Sequence, residues 1–270
     1  QTCALPISFP GVIAHLGKMS SGILRKNDHV HTAIDVERRQ RIQNNHTATH
    51  LLHWALQKTL GAHIKQAGSL VEDKRLRFDF SHHKPLSSEE LRQIEDLVNT
   101  KVREDKDVST YELRFEEVQK KPEIKQFFGE KYGDTVRVVD IDYSKELCGG
   151  THTSRLGTIG LFKICKESSI AAGVRRIEAI TGKYAEEYIQ QEEDLLQHTA
   201  ALFKATPATL LEKAQQLIEE NKALLLELKA HRKEKQKVLI EQCISRRETV
   251  GSTHLIAQEI QIAAEDLSLF

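Results

Sequence analysis

The sequence is short of several things, and each shortage narrows what the protein does. No stretch approaches the roughly 20 consecutive apolar residues of a membrane-spanning helix, which predicts a protein that works away from the membrane. No basic start leads into an apolar run and a cleavage site, so the sequence offers no secretion signal. Cysteine is scarce. Cys3, Cys148, Cys165 and Cys243 lie far apart, without the spacing of a disulfide scaffold, and that usage predicts a cytoplasmic location. Net charge is absent, since 39 basic side chains balance 39 acidic ones. No global field therefore draws the chain to nucleic acid, and any such contact must come from local basic clusters. Methionine occurs only at Met19, and the first eight residues, QTCALPIS, continue no pattern found downstream. With Gln1 at one end and Phe270 at the other, the expectation is a piece of a longer chain.

What is present reads as α+β. Residues 9–36 alternate short apolar stretches with turn residues, and KND between GIL and VHTAIDV predicts a hairpin, a partial β-barrel. Asn44 or Asn45 is the expected cap of a helix ending at Leu60, with Gly61 as its stop. SLVEDKRLRFDFSH predicts a hairpin in which Leu76, Phe78 and Phe80 alternate with Arg75, Arg77 and Asp79. A helix capped by Ser87 or Ser88 repeats Leu91, Ile94, Leu97, Val98 and Val102 at helical spacing. Then come the strand STYELRF, a short helix near EEVQKKPEIKQFF, the strand TVRVVDID, and a strand pair, TIGLFKICKES and VRRIEAITG. Hairpins interleaved with helices argue for a mixed or antiparallel sheet across 37–183 rather than a parallel α/β core. Helix formers dominate 184–250. Thr206 and Pro207 look like an N-cap and first helical residue, and Leu210-Leu211, Leu217-Ile218, Leu224-Leu225 and Val238-Leu239 follow a heptad pattern, a coiled-coil hairpin. Residues 251–270 predict a strand, THLIAQEI, and a helix, AAEDLSLF, opening a further domain.

Chemistry gathers in two motifs. In NNHTATHLLHWAL, His46 and His50 are four apart, so on a helix they share a face and offer two imidazole nitrogens to one ion. With 13 histidines in the chain, chance alone gives about 0.6 pairs at this spacing, so the pair by itself decides little. In ELCGGTHTSRLG, Cys148 and His152 are also four apart, and Gly149-Gly150 lets the backbone turn so that both face one point. Together the pairs supply three imidazoles and one thiolate, a sensible zinc set. His53, His82 and His83 are further candidates, with a surface or packing histidine as the plainer reading of each.

HTATHLL, then CGGTH, then IGLFKI and AAGVRRIEAITG closely resemble the editing domain of alanyl-tRNA synthetases. The resemblance covers most of the chain, and CGGTH distinguishes it from the threonyl family, which shares the HxxxH helix. It implies hydrolysis of the ester joining serine or glycine to the 3′ end of alanine tRNA, that is Ser-tRNA(Ala) and Gly-tRNA(Ala). A pocket built for alanine rejects neither well, so a second, hydrolytic site is the physical remedy. It implies one Zn2+ held by His46, His50, Cys148 and His152, with Thr47, Gln66 and Cys148 as catalytic positions. Thr49, Ala171, Gly173, Arg175 and Arg176 are the implied substrate-binding positions. The basic runs at Arg38–Arg41 and Lys229–Lys237 are candidates for tRNA contact, against a solvated face as the ordinary reading. ATP and Mg2+ belong only to the full-length parent, whose activation domain does not fit upstream of the barrel remnant, and a homodimer would form through a missing C-terminal region. A free-standing editing protein acting in trans, and a non-catalytic zinc-braced module that binds tRNA, remain the alternatives at this point.

Overall fold

The computed structural model describes residues 4–9, 12–16, 19–125, 133–141 and 143–257. The chain divides into two units, Gln1–Glu186 and Glu187–Phe270. The first opens with β1 (Ala4–Phe9) paired antiparallel to β2 (Val12–Leu16), so part of QTCALPIS belongs to a strand. The expected hairpin at KND is only a turn. Asn27 adopts a left-handed φ of 72° and the Asp28 amide donates to the Arg25 carbonyl, but 19–35 form no strand and are exposed. Among the described residues, the β1-β2 pair is the sheet found within 4–36, and 19–35 add no strand to it.

Helix α1 (Val36–Leu60) starts earlier than the asparagine caps predicted. Asp35 caps it by accepting from the Arg38 amide, so Asn44 and Asn45 lie inside the helix. Both are buried and bond outward, Asn44 to the Thr158 carbonyl and Asn45 to the Glu72 carbonyl. The helix ends at Gly61, whose φ of 114° favours glycine. Strands β3 (Gln66–Val71) and β4 (Leu76–Ser81) form the predicted hairpin. Helix α2 (Ser88–Glu104) is capped by Ser87, with Glu90 reaching back to complete a capping box.

Next come β5 (Ser109–Arg114), the single turn α3 (Phe115–Val118), β6 (Ile124–Lys125), β7 (Thr135–Asp140) and β8 (Lys145–Leu147). A short 3₁₀ turn (Leu156–Ile159) takes up the residues expected to begin a strand, and β9 (Phe162–Ala171) and β10 (Val174–Thr181) follow. Two four-stranded sheets result. One runs β3-β4-β10-β9, all antiparallel; the other runs β5-β7-β8-β6, with its β6-β8 pair parallel.

One face of α1 (Ala48, Leu51, Leu52, Ala55, Leu56) joins Leu76, Phe78, Phe80, Ile177 and Ala179 of the first sheet and Ile94 and Val98 of α2 in one core, all fully buried. Each such leucine or phenylalanine contributes about 1.5–3 kcal/mol, enough to fix α1 against the sheet. The second sheet keeps a smaller core of Val118, Ile124, Val136, Val138 and Leu147. Leu147 points into that core, so the preceding Glu146 points the other way, as strand alternation requires.

In the second unit, α4 (Lys183–Leu202, which begins in the first) is followed by α5 (Leu210–Ser245), β11 (Glu248–Val250) and β12 (Thr253–Leu255). Helix α5 starts at Leu210 after Thr209, one turn later than Thr206-Pro207 predicted; Thr206 and Thr209 bond to each other in the preceding turn. The heptad residues Leu211, Leu217, Ile218, Leu224, Leu225 and Val238 are exposed. Both helices expected of the hairpin exist, but the seam is uncovered, because a heptad pattern specifies a stripe and not its partner. Only Thr253–Leu255 of THLIAQEI is a strand, and AAEDLSLF lies outside the described residues. Among the described residues no helix is long and apolar enough to cross a membrane.

Two substitutions test this packing. Asn99, buried on α2, donates to the Phe162 carbonyl and accepts from the Phe162 amide, joining helix to sheet. Asn99→Ala leaves both backbone groups unsatisfied and is expected to destabilise by about 2–4 kcal/mol, read as a lower urea midpoint at unchanged m; a loss below about 0.5 kcal/mol would mean the clamp is not structural. At the end of α2, Asp105 binds Arg155 and the Gly157 amide, which hold its carboxyl below the ordinary 3.8. Its folded pKa is thus depressed, so its contribution is present above 3.8 and lost as pH falls through the lower folded value. The difference in Tm between wild type and Asp105→Asn should therefore close on acidification, and a gap independent of pH would contradict the pairing.

Candidate metal centre

The long core face of α1 decides where its polar residues go. With Leu51, Leu52 and Leu56 in the core, His46 and His50 stand one turn apart beside the loop that leaves β8. That loop brings Cys148 and then His152 against them. The ligand-capable atoms of His46, His50, Cys148 and His152 all lie within 4.8 Å of one another. Cys148 Sγ is 3.4 Å from His46 Nε2 and 3.3 Å from His152 Nε2. Bonds of about 2.0–2.3 Å from one ion place tetrahedral donors roughly 3.3–3.8 Å apart, so the donor set and its spacing fit a single metal ion. His50 and His152 are buried while His46 and Cys148 are half-buried, which leaves one side of the cluster open.

Glycine is required at one place in the loop. A Cβ on Gly150 would lie 2.5 Å from His46 Nδ1, whereas one on Gly149 would meet nothing within 4 Å. Arg137 on β7 holds the turn in place, its Nη1 donating to the Gly150 carbonyl at 2.7 Å.

Further groups brace the ligands from behind. Thr47 Oγ1 is 3.1 Å from His152 Nδ1 and accepts from the Thr153 amide. Glu146 Oε2 lies 2.6 Å from His50 Nδ1, at an oblique angle to the ring's N–H axis. Burial, the largest single influence, would lower the His50 pKa, but the Glu146 charge together with bonding to Cys148 and Glu146 outweighs it and raises the imidazole to about 10. Burial likewise opposes the Glu146 carboxylate, yet His50 and then His53 hold it well below its usual range. Cys148 goes against burial too: bonds from His152, His46 and His50 bring its thiol down to about 3. His152 falls to about 4, through burial and the neighbouring imidazoles against the pull of Cys148. At neutral pH the cluster therefore presents a thiolate and a neutral His152, the forms a metal ion binds, while His50 carries a second proton that an ion would displace.

Beside the cluster lies a cavity of about 260 Å³, lined by His46, Thr49, His50, Gln66, Ser69, Glu146, Leu147, Cys148 and the glycine turn. Gln66 Nε2 donates to Ser69 Oγ at 3.1 Å. Thr49 Oγ1 donates its only proton to the Asn45 carbonyl at 2.8 Å, so toward the cavity it can only accept. A larger, more open cleft of about 630 Å³ near the end of α2 is lined by Arg103, Asp105 and Arg155 and gathers no comparable donor set.

The structure thus brings together His46, His50, Cys148, His152, Thr49 and Gln66 of the expected residues. Thr47, expected to be catalytic, is fully buried and turned to His152, away from the cavity. Arg175 and Arg176, expected at phosphates, are engaged by carboxylates: Arg175 Nη2 with Glu167 at 2.6 Å, and Arg176 Nε with Asp79 at 2.7 Å. Neither lines the cavity, and Ala171 and Gly173 flank the β9–β10 turn, where Gly173 takes a φ of +72°. The reason is the sheet register: Arg176 pairs with Asp79 directly across β4, and that partner is set by pairing between segments distant in sequence. Sequence reading missed Glu146, Arg137 and Ser69. Strand alternation through KEL was the available signal for Glu146, since it opposes the apolar Leu147.

Residues 136–178 match the model of the threonyl and alanyl tRNA synthetase second additional domain. The chain is 48 % identical over 217 residues to an alanine–tRNA ligase of Methylobacillus flagellatus, covering 80 % of this chain and 25 % of that protein. It is 46 % identical over 212 residues to the alanine–tRNA ligase of Chlamydia caviae, covering 78 % and 24 %. With that of Bordetella petrii it shares 46 % identity over 222 residues, 82 % and 25 % of the two chains. The chain spans about a quarter of the length of these relatives.

The glycine turn gives a paired prediction. Gly150→Ala should push His46 off the cluster and weaken metal binding by at least roughly tenfold, while Gly149→Ala should leave it unchanged. Chelator competition on both variants reads the difference, and equal affinities would show that the close approach at Gly150 is not what seats His46.

Proposed function

The chain is related to the alanine–tRNA ligases, of which it spans about a quarter, and on that premise we propose that it is their editing part, a hydrolase of Ser-tRNA(Ala) and Gly-tRNA(Ala). The observation that carries this reading is the cavity in which a three-imidazole, one-thiolate cluster adjoins small polar side chains. The volume, about 260 Å³, accommodates an aminoacyl group and the end of a ribose. Bound at His46, His50, Cys148 and His152, a zinc ion would supply Lewis acidity beside the ester carbonyl.

The protein's own side chains supply selection and position. Thr49 presents an acceptor, and Ser69, bonded by Gln66, presents a hydroxyl. A seryl side chain has a hydroxyl to satisfy both kinds of partner; an alanyl methyl has none and leaves them unpaired. Glycine enters by size alone. Arg137 keeps the Gly149-Gly150 turn from moving away from His46, which holds the cluster at the wall of the cavity. The partner is the aminoacylated 3′ end of tRNA(Ala). In a full-length ligase, ATP and Mg2+ would serve the separate charging reaction, and the cytoplasm is where that reaction would be needed.

Deacylation of seryl-, glycyl- and alanyl-tRNA(Ala) by the purified chain tests the reading. Serine and glycine should be released much faster than alanine, and Cys148→Ala should abolish release of both. Thr49→Val should slow seryl release by roughly tenfold, the worth of about one hydrogen bond, and leave glycyl release nearly unchanged. Release of alanine as fast as serine would sink the proposal.

A further inference from the structure

Glu146 is 1 % exposed and sits in the middle of a three-residue strand. An isolated carboxylate at that depth would be protonated or expelled. Instead it is surrounded. Besides the approach to His50 Nδ1 at 2.6 Å, Glu146 accepts from Ser144 Oγ at 2.8 Å. His53 Nδ1 lies 3.5 Å from Oε1, and so does Lys125 Nζ. Lys125 is there because β6 runs parallel to β8 with Lys125 in register with Glu146. The carboxylate is therefore gripped from one side by an ammonium and a hydroxyl, and on the other it faces two imidazoles one turn apart on α1.

An imidazole that binds a metal ion through one nitrogen is oriented by what its other nitrogen meets. For His50 that is Glu146, which calls for a proton on Nδ1 and makes Nε2 the nitrogen available to an ion. We infer that Glu146 is the positioning residue of this centre, fixing the tautomer and ring plane of His50 while Ser144 and Lys125 fix Glu146. His53 then has a role as well. It is the second imidazole on the same carboxylate and not a spare ligand, which accounts for a third histidine on this face of α1. The inference rests on reading the four side chains as a metal centre, and the measurements below separate the two.

The affinity of the full chain for Zn2+ alone is measured by chelator competition for wild type, Glu146→Gln, Glu146→Leu, His50→Ala and the His50→Ala/Glu146→Gln double variant. Wild type should bind one ion. Glu146→Leu should weaken binding roughly 10–100-fold. Glu146→Gln keeps an acceptor without the charge, so it should fall between wild type and Glu146→Leu, and it carries the test if the leucine variant does not fold. In the His50→Ala background the same glutamine substitution should change affinity by less than about twofold. Loaded with Co2+, Glu146→Gln should retain the charge-transfer band of the Cys148 thiolate while its d–d bands shift. A Glu146→Gln affinity equal to wild type, or an undiminished effect of that substitution without His50, would overturn the positioning role. Failure of wild type to bind Zn2+ would instead overturn the metal-centre reading.

Discussion

Holding a thiolate and three imidazoles at one point inside a folded chain is the constraint on which the rest of the first unit depends. Donors 3.3–3.4 Å apart are closer than uncompensated polar groups of this kind would stay without help. The help is partly apolar. The α1 helix is pinned by a core that runs through both the first sheet and α2, so His46 and His50 are presented from a rigid surface. It is partly backbone, since a side chain at Gly150 would collide with the His46 ring and Arg137 fastens the Gly150 carbonyl. Precision in such a site comes from supports that cannot relax.

Electrostatics supplies the other half. From the surface inward the charges alternate: the Lys125 ammonium, the Glu146 carboxylate, the raised His50 imidazole and the lowered Cys148 thiol. Each buried charge is offset by its neighbour, so none stands alone in a medium where an isolated one would be expelled. Thr47 plays the matching part behind His152 without a charge. In the cavity, the neutral side chains of Thr49, Gln66 and Ser69 stand beside the charged groups that assemble the centre.

The second unit follows a different logic. Helix α5 is long and carries an apolar stripe that its own unit leaves exposed. Helix propensity and repeated leucines suffice to form the helix, since those effects are local. What meets the stripe is a matter of assembly, which local residues do not specify.

Much of the first unit was legible in the sequence because its signals are short-ranged. Alternation in LRFDFS, helical spacing from Leu91 to Val102 and the serine–glutamate capping box each act within a few residues, and each element formed where expected. The ligand pairs were legible for the same reason, as four-residue spacing puts two side chains on one side of a helix or a turn. The resemblance to alanyl-tRNA synthetases also stood in the sequence, in HTATH and CGGTH. What Thr47 touches, which carboxylates hold Arg175 and Arg176, and that Glu146 stands behind His50 were decided only by tertiary structure. Each of these depends on a partner brought from a distant part of the chain, by sheet register or by the packing of a helix on a sheet. A side chain's own sequence neighbourhood carries no record of which residue lies across the fold from it.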